Sequence, residues 1–364
     1  FALCIFGAIP FVLSSSIPNP IDALFETVSG FTTTGSSILT DVEVLPHCIL
    51  IWRSFTHWIG GMGVLVFLLS LLPLAGGYHM NLMKAESPGP SVSKLVPKVQ
   101  DTAKILYTIY IGMTLLQIVL LLLGRIPLFD TLCISFGTAG TGGFGIVNDS
   151  MGSYSVYCQI ITTIFMILFG VNFSAYYLFL TKKFMQAFKF EEVRYYFGII
   201  LAAIVIIAFN TSHLFRNLGE AFQQAAFQVG SIITTTGFSS TDFNQWPALS
   251  KTILVLLMFV GACAGSTGGG LKVSRILILC KAAKKEFQLY LHPNAVKKIK
   301  MDNKTIGHDI LRSTNIYITL YLIIFAVSVL LISLDNFDLV TNFTAVTATL
   351  NNIGPGLEIV GPMG

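Results

Sequence analysis

Six stretches of this chain are apolar for long enough to cross, or nearly cross, a lipid bilayer: residues 49–72, 105–123, 156–180, 195–209, 252–264 and 316–334. About 20 apolar residues in a helix cover the hydrocarbon core of a membrane. Only 11% of the 364 residues are charged, against about a quarter in a soluble domain, and the mean hydropathy is +0.75. The chain reads as an all-α integral membrane protein.

The charges are few and one-sided. Three connectors, residues 84–104, 182–194 and 272–312, hold 18 of the 22 Lys and Arg. The alternate segments hold 11 of the 18 acids, among them Asp22, Glu26, Asp41, Glu43, Asp130 and Asp242. The positive-inside rule places the basic connectors in the cytoplasm and the acidic segments outside, where negative charge gathers cations. The net charge of +4 gives no reason to expect a nucleic-acid partner.

Every outward segment follows one plan. An apolar span ends, a shorter stretch of about 10–15 residues follows, then a bend rich in Gly and Thr or Asn, then another span. The four bends contain "SGFTTTGSS", "TAGTGGFG", "SIITTTGFSS" and "TLNNIGPG". Aligned on Gly35, Gly143, Gly237 and Gly354, they lie 108, 94 and 117 residues apart. The expected organisation is four repeats: 1–80, 81–190, 191–290 and 291–364, the last without its second span.

The short stretches, such as residues 22–30 and 221–231, cannot cross a membrane as helices at 1.5 Å per residue. A half-length helix followed by irregular backbone is tolerated at membrane depth where it is buried or lines a watery cavity. Four such units around an axis form a pore, with partly negative helix C-termini aimed at its centre. Glycine after each helix frees the backbone to turn carbonyls inward, and a ring of carbonyls replaces the hydration shell of K⁺. The candidate K⁺ ligands are therefore mainly backbone carbonyls of Thr33, Thr34 and Gly35; Thr141, Gly142 and Gly143; Thr235, Thr236 and Gly237; and Asn352, Ile353 and Gly354.

Two glycine-rich motifs imitate nucleotide sites. Gly140-x-Gly142-x-x-Gly145 matches a dinucleotide-binding fingerprint, but no β-strand precedes it and no βαβ unit surrounds it. "GACAGSTGGGLKVSR" resembles a P-loop, yet Leu271 separates Gly270 from Lys272 and no Ser or Thr follows the lysine. That second stretch interrupts a span 16 residues after Ala248, a helical descent of ~24 Å. Ala264, Gly265, Ser266, Thr267, Gly268, Gly269 and Gly270 then form a small, polar loop at the depth of a cavity below the bends. The loop, with Lys272 just past it, is expected to act as a gate.

The four bends, with "AGSTGGGLKV" in the third repeat and "LNNIGPG" in the fourth, resemble the Trk/Ktr/HKT superfamily of potassium transporters. "GSTGGG" and "KVSR" make the bacterial TrkH/TrkG branch the best match, and the similarity runs along essentially the whole chain. The resemblance implies four M1–pore helix–M2 repeats in one subunit of a homodimer in the bacterial inner membrane. It also implies a cytosolic, TrkA-like nucleotide-binding regulator, so that nucleotide chemistry belongs to the partner and this chain needs no organic cofactor. Gly35 is similar to K⁺-selective members, whereas some Na⁺-preferring plant relatives carry serine there. Measured against the family, the chain reads as a fragment, lacking part of the first M1, the fourth M2 and two N-terminal spans.

Two other classes fit the sequence less well. A secondary transporter of another cation, Na⁺-coupled or Na⁺-permeable and built of inverted repeats, would alternate the charge orientation of its repeats, and here all four share one. A membrane enzyme needs convergent acids, bases or metal ligands, and the spans offer isolated residues. Arg53 and His57, one turn apart, are expected to snorkel or to satisfy a neighbouring helix. The six cysteines are scattered, mostly in apolar runs, and read as small buried hydrophobes.

Overall fold

The computed structural model describes residues 2–63, 99–183, 185, 187, 189–292 and 298–362. The later part of the 49–72 span, the 80/81 repeat boundary and Lys84, Lys94, Lys98 and Lys297 lie outside the described residues.

Helices dominate, and they come in two lengths. The long ones are α4 (Val99–Leu123), α8 (Glu191–Thr211) and α12 (His308–Ile332), of 25, 21 and 25 residues. Each is followed, after a short connector, by a helix of 12 to 16 residues: α5 (Leu128–Gly140), α9 (Leu218–Ile233) and α13 (Leu339–Leu350). α1 (Ala2–Leu13) precedes α2 (Pro20–Phe31) in the same way. At 1.5 Å per residue the short helices reach about 18–24 Å, well under the ~30 Å hydrocarbon core. α3 (His47–Gly61), α6 (Val156–Phe169) and α10 (Ala248–Val260) then lead away from three of the bends.

Local chemistry fixes where the short helices start. Asn19 accepts from the Ile21 N–H, with Pro20 in the first turn. Asn217 accepts from the Glu220 N–H, and Asp338 from the Thr341 N–H. An acidic residue in the first turn of α2, α5 and α9 (Asp22, Asp130, Glu220) suits the positive end of the helix dipole.

Packing separates inner from outer helices. α9 is buried along most of one face, and it joins α8, α10 and the start of α11 (Val273–Leu291) in the largest apolar core. α12 buries only Thr314 and Tyr321 of its 25 residues and exposes Leu320, Leu322, Ile323, Ile324, Val327, Leu330 and Leu331. An apolar surface of that extent suits lipid rather than water. Among the described residues, Ala103–Leu123, Glu191–Leu214 and His308–Asp335 are long and apolar enough to cross a membrane.

Two expectations about spans need correction. The 156–180 run is not one helix: α6 ends at Phe169, and α7 (Phe173–Leu180) leaves at 93°. Gly170 closes α6, and Asn172 caps α7 by accepting from the Ser174 N–H, so hydropathy alone concealed the break. α10 stops at Val260, three residues before the expected end, because Gly261 takes φ +68° and turns the chain.

On the basic side, β1 (Lys300–Met301) pairs antiparallel with β2 (Lys304–Thr305) through Asp302 and Asn303, both at positive φ as a tight hairpin turn requires. Ile299, Met301 and Ile306 anchor this hairpin in the main core, while Lys298, Lys300 and Lys304 stay exposed.

Candidate functional site

The short helices α2, α5, α9 and α13 end in one shared backbone turn. In each, an N–H bonds three residues back and the next N–H bonds five back. The pairs are Thr33 to Gly30 (3.1 Å) and Thr34 to Ser29 (2.9 Å), then Thr141 to Thr138 (3.1 Å) and Gly142 to Gly137 (2.9 Å). Thr235 to Ile232 (3.1 Å) and Thr236 to Ser231 (2.8 Å) follow, then Asn352 to Thr349 (3.2 Å) and Ile353 to Ala348 (2.8 Å). These bonds satisfy carbonyls that a helix C-terminus otherwise leaves open.

The same residues are left-handed each time. Thr33, Thr141, Thr235 and Asn352 have φ of 59°, 53°, 58° and 58°, and Gly35, Gly143, Gly237 and Gly354 have φ of 77°, 74°, 85° and 96°. The residue between each pair keeps a negative φ. Alternating hands along a short segment turns successive carbonyls toward one side. A left-handed non-glycine costs about 1–3 kcal/mol, so the conformation persists only where its surroundings impose it.

The four bends meet in a closed ring. A Cβ on Gly35 would collide with the carbonyl oxygen of Gly142, one on Gly143 with that of Thr236, and one on Gly237 with that of Ile353. A Cβ on Gly354 would lie 3.2 Å from the carbonyl oxygen of Thr34, which returns to the first bend. Thr34 also donates its hydroxyl to Asn352 Oδ1 at 3.0 Å. Among the described residues, the carbonyls of these twelve bend positions accept no protein hydrogen bond. A cavity of about 610 Å³ opens over the ring, lined by Gly35, Gly143, Gly237 and Gly354 together with Ser37 and Asn148.

The supports behind the ring alternate. In the first and third bends a serine fastens the turn: Ser29 Oγ donates to Ser36 O, and Ser231 Oγ to Phe238 O, both at 2.6 Å. Thr32 and Thr34 share a hydroxyl bond of 2.8 Å, as do Thr234 and Thr236. Nine residues before the bend glycine stand Glu26 in the first unit and Gln228 in the third, both buried. Gln228 donates to Ser239 Oγ at 3.2 Å. Glu26 pairs with Arg53 at 2.8 Å, and Arg53 donates onward to Gly145 O at 3.2 Å and covers the Phe144 ring at 4.2 Å.

Arg53 therefore does not snorkel. It satisfies an acid on α2 and ties the first bend to the second. The complementary charges of Glu26 and Arg53 were visible in the sequence, but no spacing rule joins residues 27 apart. His57, fully buried, stacks on Phe144 at 4.1 Å and fills the space a Gly142 side chain would need.

The glycine-rich loop between α10 and α11 reaches the inner side of this ring. Gly269 N–H donates to Thr235 Oγ1 at 2.6 Å, and a Cβ on Gly269 would lie 2.6 Å from Asn351 O. A Cβ on Gly268 would lie 2.7 Å from Thr234 O. The loop is also laced to the α6–α7 break: Cys263 N–H to Gly170 O (3.0 Å), Phe173 N–H to Gly265 O (2.9 Å) and Thr267 Oγ1 to Phe169 O (3.3 Å). Ser266 closes locally on Cys263 O at 2.6 Å. Gly270 packs against Gly261, and Lys272, at φ +75°, reaches back to Gly268 O. Helix resumes at Val273, and Arg275 covers the Tyr317 ring at 3.7 Å instead of reaching water.

Long apolar helices alternating with half-length ones define a multi-pass helical membrane protein. The sequence model of TrkH, described as a cation transport protein, matches residues 4–359. The chain belongs to the TrkH family of cation transport proteins, and it is a transporter rather than an enzyme. It is 38% identical over 361 residues to the Trk system potassium uptake protein TrkH of Salmonella typhimurium (strain LT2), covering 97% of this chain and 74% of that one. It is 34% identical over 340 residues to the Trk system potassium uptake protein TrkG of Escherichia coli K12, covering 92% and 70%. The crystal structure of the potassium transporter TrkH from Vibrio parahaemolyticus superposes with a TM-score of 0.86 at 33% identity, over 98% of this chain and 75% of that chain.

Proposed function

We propose that this protein takes up K⁺ across a bacterial inner membrane through the ring of bends at Gly35, Gly143, Gly237 and Gly354. The observation that carries the reading is the fourfold recurrence of one left-handed/right-handed/left-handed turn in bends that touch in a closed circle. Carbonyls free of protein partners and turned by that backbone supply the ligands K⁺ exchanges for water. The chain divides into four units within 1–80, 81–190, 191–290 and 291–364, each contributing one half-length pore helix, and the C-termini of those half-helices add a negative field at the ring. The loop at 264–270, seated against Thr234, Thr235 and Asn351, closes the inner side and is the gate. The subunit works as a homodimer with a cytosolic TrkA-like nucleotide-binding regulator at its basic face. The family's potassium uptake proteins, named above, support the choice of ion.

The test is flux in liposomes loaded with K⁺ or Na⁺, using the full-length protein, with no other gradient imposed. Uptake of K⁺ well above Na⁺ is expected. Equal K⁺ and Na⁺ rates, or flux only when a Na⁺ or H⁺ gradient is added, would overturn the carbonyl-ring reading in favour of coupled transport.

A further inference from the structure

We propose that Glu192 is the positioning residue that holds the gating loop in its resting place. The inference rests on the reading of residues 264–270 as the gate. Glu192 lies in the first turn of α8 and is buried. Its Oε1 accepts the Ala264 N–H at 2.6 Å and the Ser274 N–H at 3.1 Å. Those two amides stand at opposite ends of the loop, one at its first residue and one in the opening turn of α11. A single carboxylate oxygen thus fastens both ends of the segment whose tip, Gly269, touches Thr235 in the third bend.

The surroundings suit a clasp. The Asn172 side chain, at the α6–α7 break, and the positive charge of Lys272 both favour the ionised carboxylate. The loop and α11 each give Glu192 a backbone N–H donor, the buried Cys263 thiol lies nearby, and Lys272 supplies the positive charge that a carboxylate removed from water favours. The anchor itself is fixed. Asp302 of the hairpin accepts the neighbouring Glu191 N–H at 2.8 Å, and Lys281 joins Glu191 to Lys300 O. The start of α8 is consequently not a fraying terminus.

The backbone explains why a clasp is needed. Gly261, Gly265 and Gly270 are left-handed, as is Lys272, and four of the seven residues from Ala264 to Gly270 are glycine. Such a segment has little intrinsic preference for one position, and ordering it requires external partners. Without the carboxylate the two loop ends lose a shared acceptor and separate from α8, while the contacts to the α6–α7 break remain.

The experiment measures K⁺ flux in liposomes with the full-length protein and no regulator. Glu192→Ala is expected to raise basal flux about tenfold, the shift that loss of a charge-assisted hydrogen bond gives to a two-state element. Glu192→Gln keeps an acceptor oxygen and is expected to reverse most of that rise. Glu192→Asp, shorter by one methylene, retains the charge for folding but cannot span both amides, and should behave like the alanine variant. Hydrogen exchange at Ala264 and Ser274 should quicken in the same two variants. Basal flux unchanged in both, while deletion of Gly268–Gly270 raises it, refutes the role of Glu192 and leaves the gate standing. Flux unchanged by the deletion as well refutes the gate, and the clasp with it.

Discussion

Arg53 and Glu26 lie 2.8 Å apart with side chains only 2% and 0% exposed, and the arginine continues to the Gly145 carbonyl of the next bend. The pair is a brace between two units of the ring. Taking charges out of water is expensive, and the pair stands because each partner neutralises the other. Arg53→Met alone should cost about 3–5 kcal/mol of stability, because it strands a buried carboxylate. The double change with Glu26→Met should cost distinctly less, and both should lower K⁺ preference through slackening of the first two bends. Thermal unfolding in detergent and flux ratios in liposomes read these effects. A double variant that loses the sum of the single costs would refute the brace.

Gly35→Ser should lower the K⁺/Na⁺ flux ratio by roughly tenfold, equivalent to ~1.4 kcal/mol of strain at a left-handed residue. Protein should still reach the membrane, since the ring contributes little of the apolar core. An unaltered ratio in correctly inserted protein removes Gly35 from the ion path.

Gly142 and Gly143 should fail for different reasons. Gly142 has a negative φ, and the obstacle to a side chain there is the His57 ring. Gly142→Ala should abolish most K⁺ flux, and adding His57→Ala should recover part of it. Gly143 is left-handed at φ 74° and faces the backbone of Thr236, which no side-chain change can clear. Gly143→Ala should therefore lose K⁺ preference as Gly35→Ser does, with or without the His57 change. Equal rescue of both would mean that backbone contact does not govern the ring.

Deleting Gly268–Gly270 removes the part of the loop that reaches Thr234, Thr235 and Asn351. Basal K⁺ flux should rise and depend less on the proposed regulatory subunit, with selectivity largely kept because the bend glycines are untouched. Loss of flux in folded protein, or regulation as strong as before, counts against a gate.

Lys298, Lys300 and Lys304 project from a hairpin whose apolar residues are locked into the core. Neutralising them with glutamine should weaken co-purification with the proposed cytosolic regulator, and weaken it further as salt rises and screens what charge remains. A complex that survives unchanged at low and high salt shows that these lysines fix orientation only.

Hydropathy, charge asymmetry and the recurrence of four bends were properties of the sequence alone, because each depends on residues near one another in the chain. A half-length helix is recognisable from its length, and a glycine after it from the backbone freedom it supplies. The sequence also pointed to an interruption at 264–270, since four glycines in seven residues cannot continue a helix stably, and the break observed is wider, from Gly261 to Lys272. Tertiary structure decided everything that depended on distant partners. The 93° break at Gly170–Asn172 lies in an apolar run; Gly170 and Asn172 cap its two helices locally, and bonds from Phe169, Gly170 and Phe173 to the glycine-rich loop hold its place in the fold. Glu192 reads in sequence as one of two acids at a helix start, and its meaning comes from amides 72 and 82 residues away. The closed order of the bends is likewise fixed by close approach of backbones more than 90 residues apart, which leaves no room for a side chain at Gly35, Gly143 or Gly237 and which no local pattern encodes.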